Sequence, residues 1–293
     1  MRSSRPATLL GFGAVGLWGL LALFTTASGQ VPPFQLTAMT FAIGGVIGLA
    51  VVALRPGGLG LLAQPPLVWF HGVAGLFGYH ALYFTALRFA PPAEANLINY
   101  TWPLLIVVFS AFLPGHGLKP HHLVGAALGL AGTALIIAGR GGLGSGFEAG
   151  HLIGYAAACA CALVWTSYSV TARLLPDVPT EAVAGFCLAT AVLAGLCHVA
   201  FEPTVWPANA HEWLAILALG LGPVGAAFYL WDRGMKRGDI QVLGAASYAA
   251  PVLSTLALVA FGFSQPSLAL AGAVVLIVLG SLIASRDMLR KAA

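Results

Sequence analysis

The chain has 293 residues, of which 59% are hydrophobic and 8% are charged, and its formal net charge is +4. Water-soluble domains carry about 25% charged residues, so this composition excludes an ordinary soluble protein and indicates an integral membrane protein. Lysines and arginines do not cluster among aromatic residues as they do in a nucleic-acid-binding groove. The positive charge is therefore interpreted as a signature of membrane topology, and no nucleic-acid partner is expected.

Ten apolar runs follow one another along the chain, each close to the roughly 20 residues that a bilayer-spanning helix needs. Turn residues rich in glycine and proline separate them. The runs are continuously apolar rather than alternating, which excludes a membrane β-barrel. The predicted spans are 8–27, 34–54, 66–87, 93–113, 121–138, 151–171, 181–201, 211–231, 240–261 and 266–285.

The distribution of basic residues predicts the orientation of these spans. If the N-terminus is cytoplasmic, only Arg88 and Arg140 of the 13 lysines and arginines fall on the outer side. This agrees with the positive-inside rule and places both termini in the cytoplasm. Arg2 and Arg5 before the first run would also suit a signal peptide, but Trp18 of that run has a counterpart in the second half, which favours a retained helix.

A weak internal repeat with an offset of 147 or 148 residues divides the chain. It predicts two five-helix repeats, residues 1–138 and 151–293, joined by a glycine-rich linker at 139–150. Five is an odd number, so the repeats would be inverted in the membrane, with a substrate site between them. Chance similarity between glycine-rich helices is the alternative. The matched positions are Trp18 with Trp165, Gly125 with Gly272, Tyr100 with Tyr248 and Pro103 with Pro251.

A polar stripe interrupts the fourth run and recurs in the ninth. Its members have the spacing i, i+3, i+4 and i+7, which places them on one helix face. Proline lacks an N–H, so each proline is expected to free the carbonyl four residues earlier, on Asn99 and Ser247, toward a central cavity. A kink satisfied by a neighbouring helix is the alternative. The stripes are Asn96, Asn99, Tyr100 and Pro103, and Gly244, Ser247, Tyr248 and Pro251.

An aromatic set accompanies the first stripe. Tyr79, His80 and Tyr83 lie on the third span, and a histidine within a membrane is a functional candidate, although a core histidine bonded to a carbonyl is an equal alternative. Tyr100 and Trp102 are about 200° apart around a regular helix, so both line one cavity only if the helix is distorted there. Four more aromatic residues join the set: Trp18, Trp102, Trp165 and Tyr168.

The polar residues also limit the chemistry. No Asp or Glu is predicted in the middle of a span, and no buried Lys or Arg awaits an anionic substrate. The substrate is therefore expected to be small, neutral or zwitterionic, and aromatic. His80 is the one titratable group in the predicted path, which leaves a proton-coupling role open beside simple facilitated movement. His116, His121 and His122 lie in a loop without an acidic ligand, and a solvated loop is favoured over a metal site.

The four cysteines, all within apolar runs, are interpreted as buried thiols. No metal or other cofactor is expected, and no HExxH, GxSxG or paired mid-membrane carboxylates suggest an enzyme. The cysteines are Cys159, Cys161, Cys187 and Cys197.

The chain resembles the EamA-type branch of the drug/metabolite transporter superfamily. The resemblance rests on the two five-helix halves, on a tryptophan in the first helix of each half, and on Ala86-Leu87 and Glu94 ahead of Tyr100-x-x-Pro103. Within this branch the aromatic density resembles bacterial aromatic amino acid exporters. The resemblance implies ten helices, a bacterial inner-membrane location, a central cavity, and export of phenylalanine, tyrosine and tryptophan. At the positions that match Thr101 and Trp102, the second half has Ala249 and Ala250. This difference implies more space on the side of the cavity that the second half lines.

The chain is thus predicted to be an all-α, multi-pass membrane protein with ten helices as two inverted repeats around a cavity. It is expected to export aromatic amino acids by alternating access, as a monomer in the lipid bilayer. The alternatives are another solute, such as a purine, a threonine-like amino acid or a neutral drug, and, more distantly, a membrane-embedded enzyme. The predicted hinges are Pro103 and Pro251. The predicted substrate-binding residues are Trp18, Tyr79, His80, Tyr83, Asn96, Asn99, Tyr100, Trp102, Trp165, Tyr168, Ser247 and Tyr248.

Overall fold

The computed structural model describes residues 5–115, 117–139, 149–263, 265–284 and 286. All regular secondary structure in these ranges is helical. Eight helices there are long and apolar enough to cross a membrane, and a further apolar helix, Leu268–Ala284, is shorter. The eight are Arg5–Ala27, Pro33–Ala53, Glu94–Phe112, Pro120–Ala138, Leu152–Leu174, Thr180–Phe201, Ala210–Arg237 and Ile240–Ala260.

Several helices of the first half begin with a proline in their first turn, where the missing N–H costs no intrahelical hydrogen bond. Pro33, Pro66, Pro92 and Pro120 hold this position. The helices of this half are α1 (Arg5–Trp18), α2 (Leu21–Ala27), α3 (Pro33–Ala53), α4 (Pro66–Val73), α5 (Tyr79–Phe89), α6 (Pro92–Asn99), α7 (Trp102–Phe109) and α8 (Pro120–Gly139).

The second half follows the same order, although its first span is unbroken. Its helices are α9 (Leu152–Thr171), α10 (Val183–Phe201), α11 (Ala210–Leu221), α12 (Ala227–Arg237), α13 (Ile240–Ala246), α14 (Ala249–Ala260) and α15 (Leu268–Ala284). Short 3-10 helices lie at Gly58–Leu62, Ser110–Phe112, Ala149–His151, Ala172–Leu174 and Thr180–Ala182.

Helical interruptions occur at matching places in the two halves. A π-helical turn at Ala74–Gly78 joins α4 to α5, and a second at Gly222–Ala226, starting 148 residues later, joins α11 to α12. Turn residues 100–101 separate α6 from α7, and 247–248 separate α13 from α14. Sharp helix deviations have local causes such as proline or π-turns, and here both proline stripes coincide with a break.

The longest helix pairs pack through glycine. α8 lies along α15, and α3 lies along α10. A Cβ atom added to Gly125 would lie 2.5 Å from the carbonyl oxygen of Gly280, and one added to Gly280 would lie 2.5 Å from that of Gly125. The backbones of α8 and α15 are therefore in direct contact, as small residues allow between membrane helices.

We expect Gly125→Ala to lower stability by about 1–3 kcal/mol, because its methyl group would overlap backbone that cannot rotate away. The matched control is Gly16→Ala in α1, since a Cβ there meets nothing within 4 Å. This control should be neutral or stabilising, by up to about 1 kcal/mol. Thermal unfolding in detergent measures both, and a Gly125→Ala protein that melts at or above the wild-type temperature would refute the contact.

One end of the bundle is held by a polar network. Lys236 Nζ lies 2.8 Å from Asp232 Oδ1, with both side chains buried, and it donates to the carbonyl of Val178 at 2.9 Å. Thr180 Oγ1 donates to Asp232 Oδ2 at 2.7 Å. Arg173 Nη1 donates to the carbonyls of Met235 and Gly238 at 2.9 and 2.6 Å. These bonds tie the end of α12 to the 3-10 helix that follows α9 and to the segment before α10.

Two carboxylates are buried in the bundle. The eighth run was expected to end near residue 231, with Asp232 outside it, but the helix continues to Arg237 and buries Asp232. The pairing of Asp232 with Lys236, one turn later, explains the longer helix. Glu94 is also buried and accepts a hydrogen bond from the Tyr155 hydroxyl. Glu94 lies in the first turn of α6 and Asp232 in the last two turns of α12, so the bundle buries carboxylates near helix ends rather than in the middle of a span.

Candidate substrate-binding site

Four tryptophans from four spans meet in the core: Trp18 of α1, Trp102 of α7, Trp165 of α9 and Trp231 of α12. The ring centroids of all six pairs lie 5.0–6.4 Å apart. Most of the pairs are edge-to-face or tilted, arrangements that aromatic rings prefer. Trp18 Nε1 donates to the carbonyl of Pro223 at 3.1 Å, and Trp231 Nε1 donates to Ser169 Oγ at 3.0 Å. We call these four residues the tryptophan cluster.

Trp231 and its neighbour Phe228 were not among the predicted site residues. Trp231 is 1% exposed, and Phe228 packs against Trp18 at 6.2 Å and Trp165 at 5.9 Å. The sequence contained a signal for both residues. At the repeat offset of 148, Trp231 matches Tyr83 and Phe228 matches His80, and both of these are predicted site residues.

Next to the tryptophan cluster, α5 presents three half-buried rings. Tyr79 and Tyr83 lie parallel, with centroids 6.1 Å apart, and Tyr79 lies 5.4 Å from Trp165. His80 Nδ1 lies 2.8 Å from the carbonyl oxygen of Leu76, and its ring packs edge-on against Phe41 at 5.1 Å. His80 thus has the carbonyl bond that the structural alternative predicted, and its role in substrate binding stays a prediction.

Hydrogen bonds join these tyrosines to the asparagines of α6. The Tyr83 hydroxyl donates to Asn96 Oδ1 at 2.7 Å, and Asn99 Nδ2 donates to the Tyr79 hydroxyl at 3.1 Å. Asn99 is 3% exposed, and among the described residues its Oδ1 atom has no hydrogen-bond partner. An unpaired buried acceptor costs about 1–3 kcal/mol, so this atom is the place where a ligand donor would be stabilised.

The helix breaks directly after Asn99. Tyr100 N donates to the carbonyl of Asn96, Thr101 N donates to that of Ile98, and Leu105 N returns to that of Thr101. Pro103 occupies the first turn of the new helix. The expected distortion between Tyr100 and Trp102 is confirmed; Trp102 is buried in the tryptophan cluster, while Tyr100 stays half-buried.

The second stripe does not join this set. Tyr248 is fully buried in a separate cluster with residues of α8 and α15, because Gly129 leaves room for its ring: a Cβ there would lie 2.2 Å from Tyr248 Cδ2. The Ser247 hydroxyl donates to the carbonyl of Leu243, and the Ser247 carbonyl accepts from Ala250 N at 3.1 Å. The expectation that Pro251 leaves the Ser247 carbonyl unpaired is therefore wrong.

Tyr168 lies at the edge of the tryptophan cluster. It is buried, its ring lies 5.4 Å from Trp165 and 5.0 Å from His71, and it packs against Gly75 of the first π-turn. The structure thus gathers the predicted residues of spans one, three, four and six around the Asn99 break, and places Ser247 and Tyr248 elsewhere.

Comparison with known proteins identifies the family. Residues 5–138 and 152–286 each match the EamA-like transporter family. The chain belongs to this family. Because the family model matches twice, the chain consists of two copies of the family's repeat. The family is one of transporters.

Relatives and solved structures agree with this assignment. The EamA-like chain is 59% identical over 283 residues to the aromatic amino acid exporter YddG of Ancylobacter novellus, covering 97% of this chain and 98% of the relative. It is 26% identical to the aromatic amino acid exporter YddG of Salmonella typhimurium, covering 90% and 91%. A solved crystal structure matches with a TM-score of 0.91 and 58% identity, covering 97% and 98% of the two chains.

Proposed function

We propose that this EamA-like transporter exports aromatic amino acids across the bacterial inner membrane. The observation that carries the proposal is the unpaired, buried Asn99 Oδ1 beside the half-buried rings of Tyr79 and Tyr83. The acceptor suits the ammonium group of an aromatic amino acid, and the ring surface suits its side chain. The name of the relative at 59% identity supports the same substrate class. The role is one of transport, without chemical change of the substrate.

Recognition of a zwitterion would use the helix break. The substrate ammonium donates to Asn99 Oδ1, near the C-terminal, partially negative end of α6. The substrate carboxylate lies toward the N-terminal end of α7, since half-helix N-termini hold substrate carboxylates in other transporters. The aromatic side chain packs against Tyr79, Tyr83 and Trp18, and each ring contact contributes about 0.5–1.5 kcal/mol.

The architecture proposed for this activity has ten spans in two inverted halves. The segment from α4 to α5 and the helix α15 would be the two remaining spans, in addition to the eight longer ones. Matched interruptions support the inversion, as does matched packing: α1 lies on α12 as α5 lies on α9, while α3 pairs with its counterpart α10 and α8 with α15. The predicted distribution of basic residues supports cytoplasmic termini.

Alternating access would proceed by rocking of helix bundles about Pro103 and Pro251. The network around Asp232, Lys236 and Arg173 supports a conformer closed at the basic, cytoplasmic end. The buried tryptophan cluster would close the centre on that side, while the rings of α5 remain half-buried. Opening to the cytoplasm then requires this network to separate. One chain contains both halves, so we propose a monomer as the transporting unit.

A competition panel in proteoliposomes tests the substrate class. We expect unlabelled tryptophan and tyrosine to reduce the counterflow of labelled phenylalanine at least about fivefold, because they share the ring that Tyr79 and Tyr83 contact. Threonine, adenine and a neutral drug should have little effect at the same concentration. If one of these three competes as well as tryptophan does, the fold carries another solute.

A further inference from the structure

Two adjoining cavities lie at the basic end of α3 and α12, away from the aromatic site. The first is apolar, has a volume of about 380 Å³ and lies between α3 and the α11–α12 segment. The second is polar, has a volume of about 350 Å³ and lies between residues 176–181 and the end of α12. The two share Thr180, Glu181 and Arg233 as lining residues. Together they form an elongated site with one apolar and one polar half.

The apolar cavity lies next to a close contact between α3 and the α11–α12 segment, where both sides contribute a glycine. A Cβ on Gly44 would lie 2.8 Å from the Cα of Gly225, so backbone meets backbone there. One turn further, Tyr229 lies on Gly48, and its hydroxyl donates to the carbonyl of Gly44 at 3.3 Å. Tyr229 fills only part of the gap, and the remaining cavity is as large as common small-ligand sites.

The open side of this cavity faces the region that lipid tails occupy. Ile47 and Val51 line it from α3 and are 43% and 48% exposed. Leu221 and Leu230 line it from the opposite segment. A membrane span exposes such side chains to hydrocarbon, so the cavity opens sideways into the bilayer rather than into water.

The polar end carries unpaired positive charge. Arg55 and Arg233 line the apolar cavity near its polar end, and in the described part of the chain neither guanidinium makes a hydrogen bond or ion pair. Lys236 is already paired with Asp232. The lining of the two cavities also contains Asp177, Glu181 and Arg237, so its four basic and two acidic residues give a net charge of +2. Guanidinium groups bind phosphate oxygens in a bidentate manner.

We propose that the two cavities bind one anionic phospholipid, with an acyl chain between α3 and α12 and the headgroup phosphate at Arg55 and Arg233. Basic pockets between membrane helices hold anionic headgroups elsewhere. The ammonium of a zwitterionic ethanolamine headgroup would pair with Glu181 instead. The identity of the headgroup is therefore the variable that the experiment compares. None of the aromatic site residues lines the cavities, so the lipid would bind apart from the residues that we assign to the substrate.

Native mass spectrometry of the full-length, delipidated protein tests the site. Phosphatidylglycerol, phosphatidylethanolamine and phosphatidylcholine with identical chains are titrated separately. We expect one phosphatidylglycerol to be retained at least about fivefold more tightly than either other lipid. Arg55→Gln combined with Arg233→Gln should weaken that affinity about tenfold, because both phosphate contacts are lost.

A second variant and a control separate binding from misfolding. Ile47→Trp, at a partly exposed position, should fill the apolar cavity and weaken phosphatidylglycerol binding about tenfold while the melting temperature is kept. Arg5→Gln combined with Arg88→Gln removes the same charge outside the cavities and should leave the affinity within about twofold. Equal retention of the three lipids, or unchanged phosphatidylglycerol binding in both cavity variants, would overturn the proposal. The measurement reads lipid mass, so its failure leaves the export proposal untouched.

Discussion

Replacing Trp231 by alanine is expected to lower the free energy of unfolding by about 3–5 kcal/mol. Its ring lies within 5.0–6.3 Å of the other three members of the tryptophan cluster. The substitution leaves a cavity where four spans meet, and it removes the hydrogen-bond partner of the buried Ser169 hydroxyl. Thermal or denaturant unfolding in detergent measures the loss.

Trp206→Ala is the matched control. Trp206 is 64% exposed and stacks on Trp213 with centroids 6.2 Å apart. Removal of an exposed ring should change stability by less than about 1 kcal/mol. If Trp206→Ala destabilises the protein as much as Trp231→Ala does, the tryptophan cluster is not the core that holds the four spans together.

Replacing Asn99 by leucine is expected to reduce phenylalanine flux about 10- to 100-fold while much of the stability is retained. A hydrogen bond to a charged group contributes about 1.5–3 kcal/mol, and every 1.4 kcal/mol is about a factor of ten. Leucine keeps the branched shape at Cγ but removes the Oδ1 acceptor that we assign to the substrate ammonium, together with the Nδ2 donor to Tyr79. Flux is measured in proteoliposomes with equal amounts of inserted protein.

Tyr79→Phe separates this role from packing. It removes the hydroxyl that accepts from Asn99 Nδ2 but keeps the ring and leaves Asn99 Oδ1 in place. We expect its flux to fall no more than about fivefold, since one neutral hydrogen bond contributes about 1 kcal/mol. Equal losses in Tyr79→Phe and Asn99→Leu would mean that Asn99 acts through its bond to Tyr79 rather than through the substrate.

Local sequence signals predicted much of this fold. Continuous apolar runs predicted the positions of the helices. Proline predicted the breaks at Tyr100 and Ser247, because a residue without an N–H cannot continue the backbone hydrogen bonds of a helix. The length of α12 does not follow from the apolar run, which ends at Trp231 because the next residues are charged, whereas the helix continues to Arg237. The charges of Asp232 and Lys236 neutralise one another inside the bundle, and that depends on the neighbouring segment that brings Thr180 to Asp232.

The second stripe shows why a repeat does not predict a site. Tyr248 matches Tyr100 in spacing, yet it is buried because α8 offers Gly129 as a space for its ring. The residue 148 positions after Gly129 is Ile277, a larger side chain that packs in the same buried cluster as Tyr248. Comparison of the two stripes alone cannot reveal this difference, since it lies in a third helix.

Counterflow of labelled phenylalanine into liposomes that contain the purified wild-type protein tests the central claim most directly. With unlabelled phenylalanine inside and no ion gradient, we expect transient accumulation of label, because binding at the Asn99 break alternates between the two sides. An imposed proton gradient should change the initial rate by less than about twofold, since the side chains that we assign to substrate contact, those of Asn99, Tyr79, Tyr83 and Trp18, do not gain or lose a proton near neutral pH. Absence of counterflow, or counterflow that appears only with the proton gradient, would contradict the account.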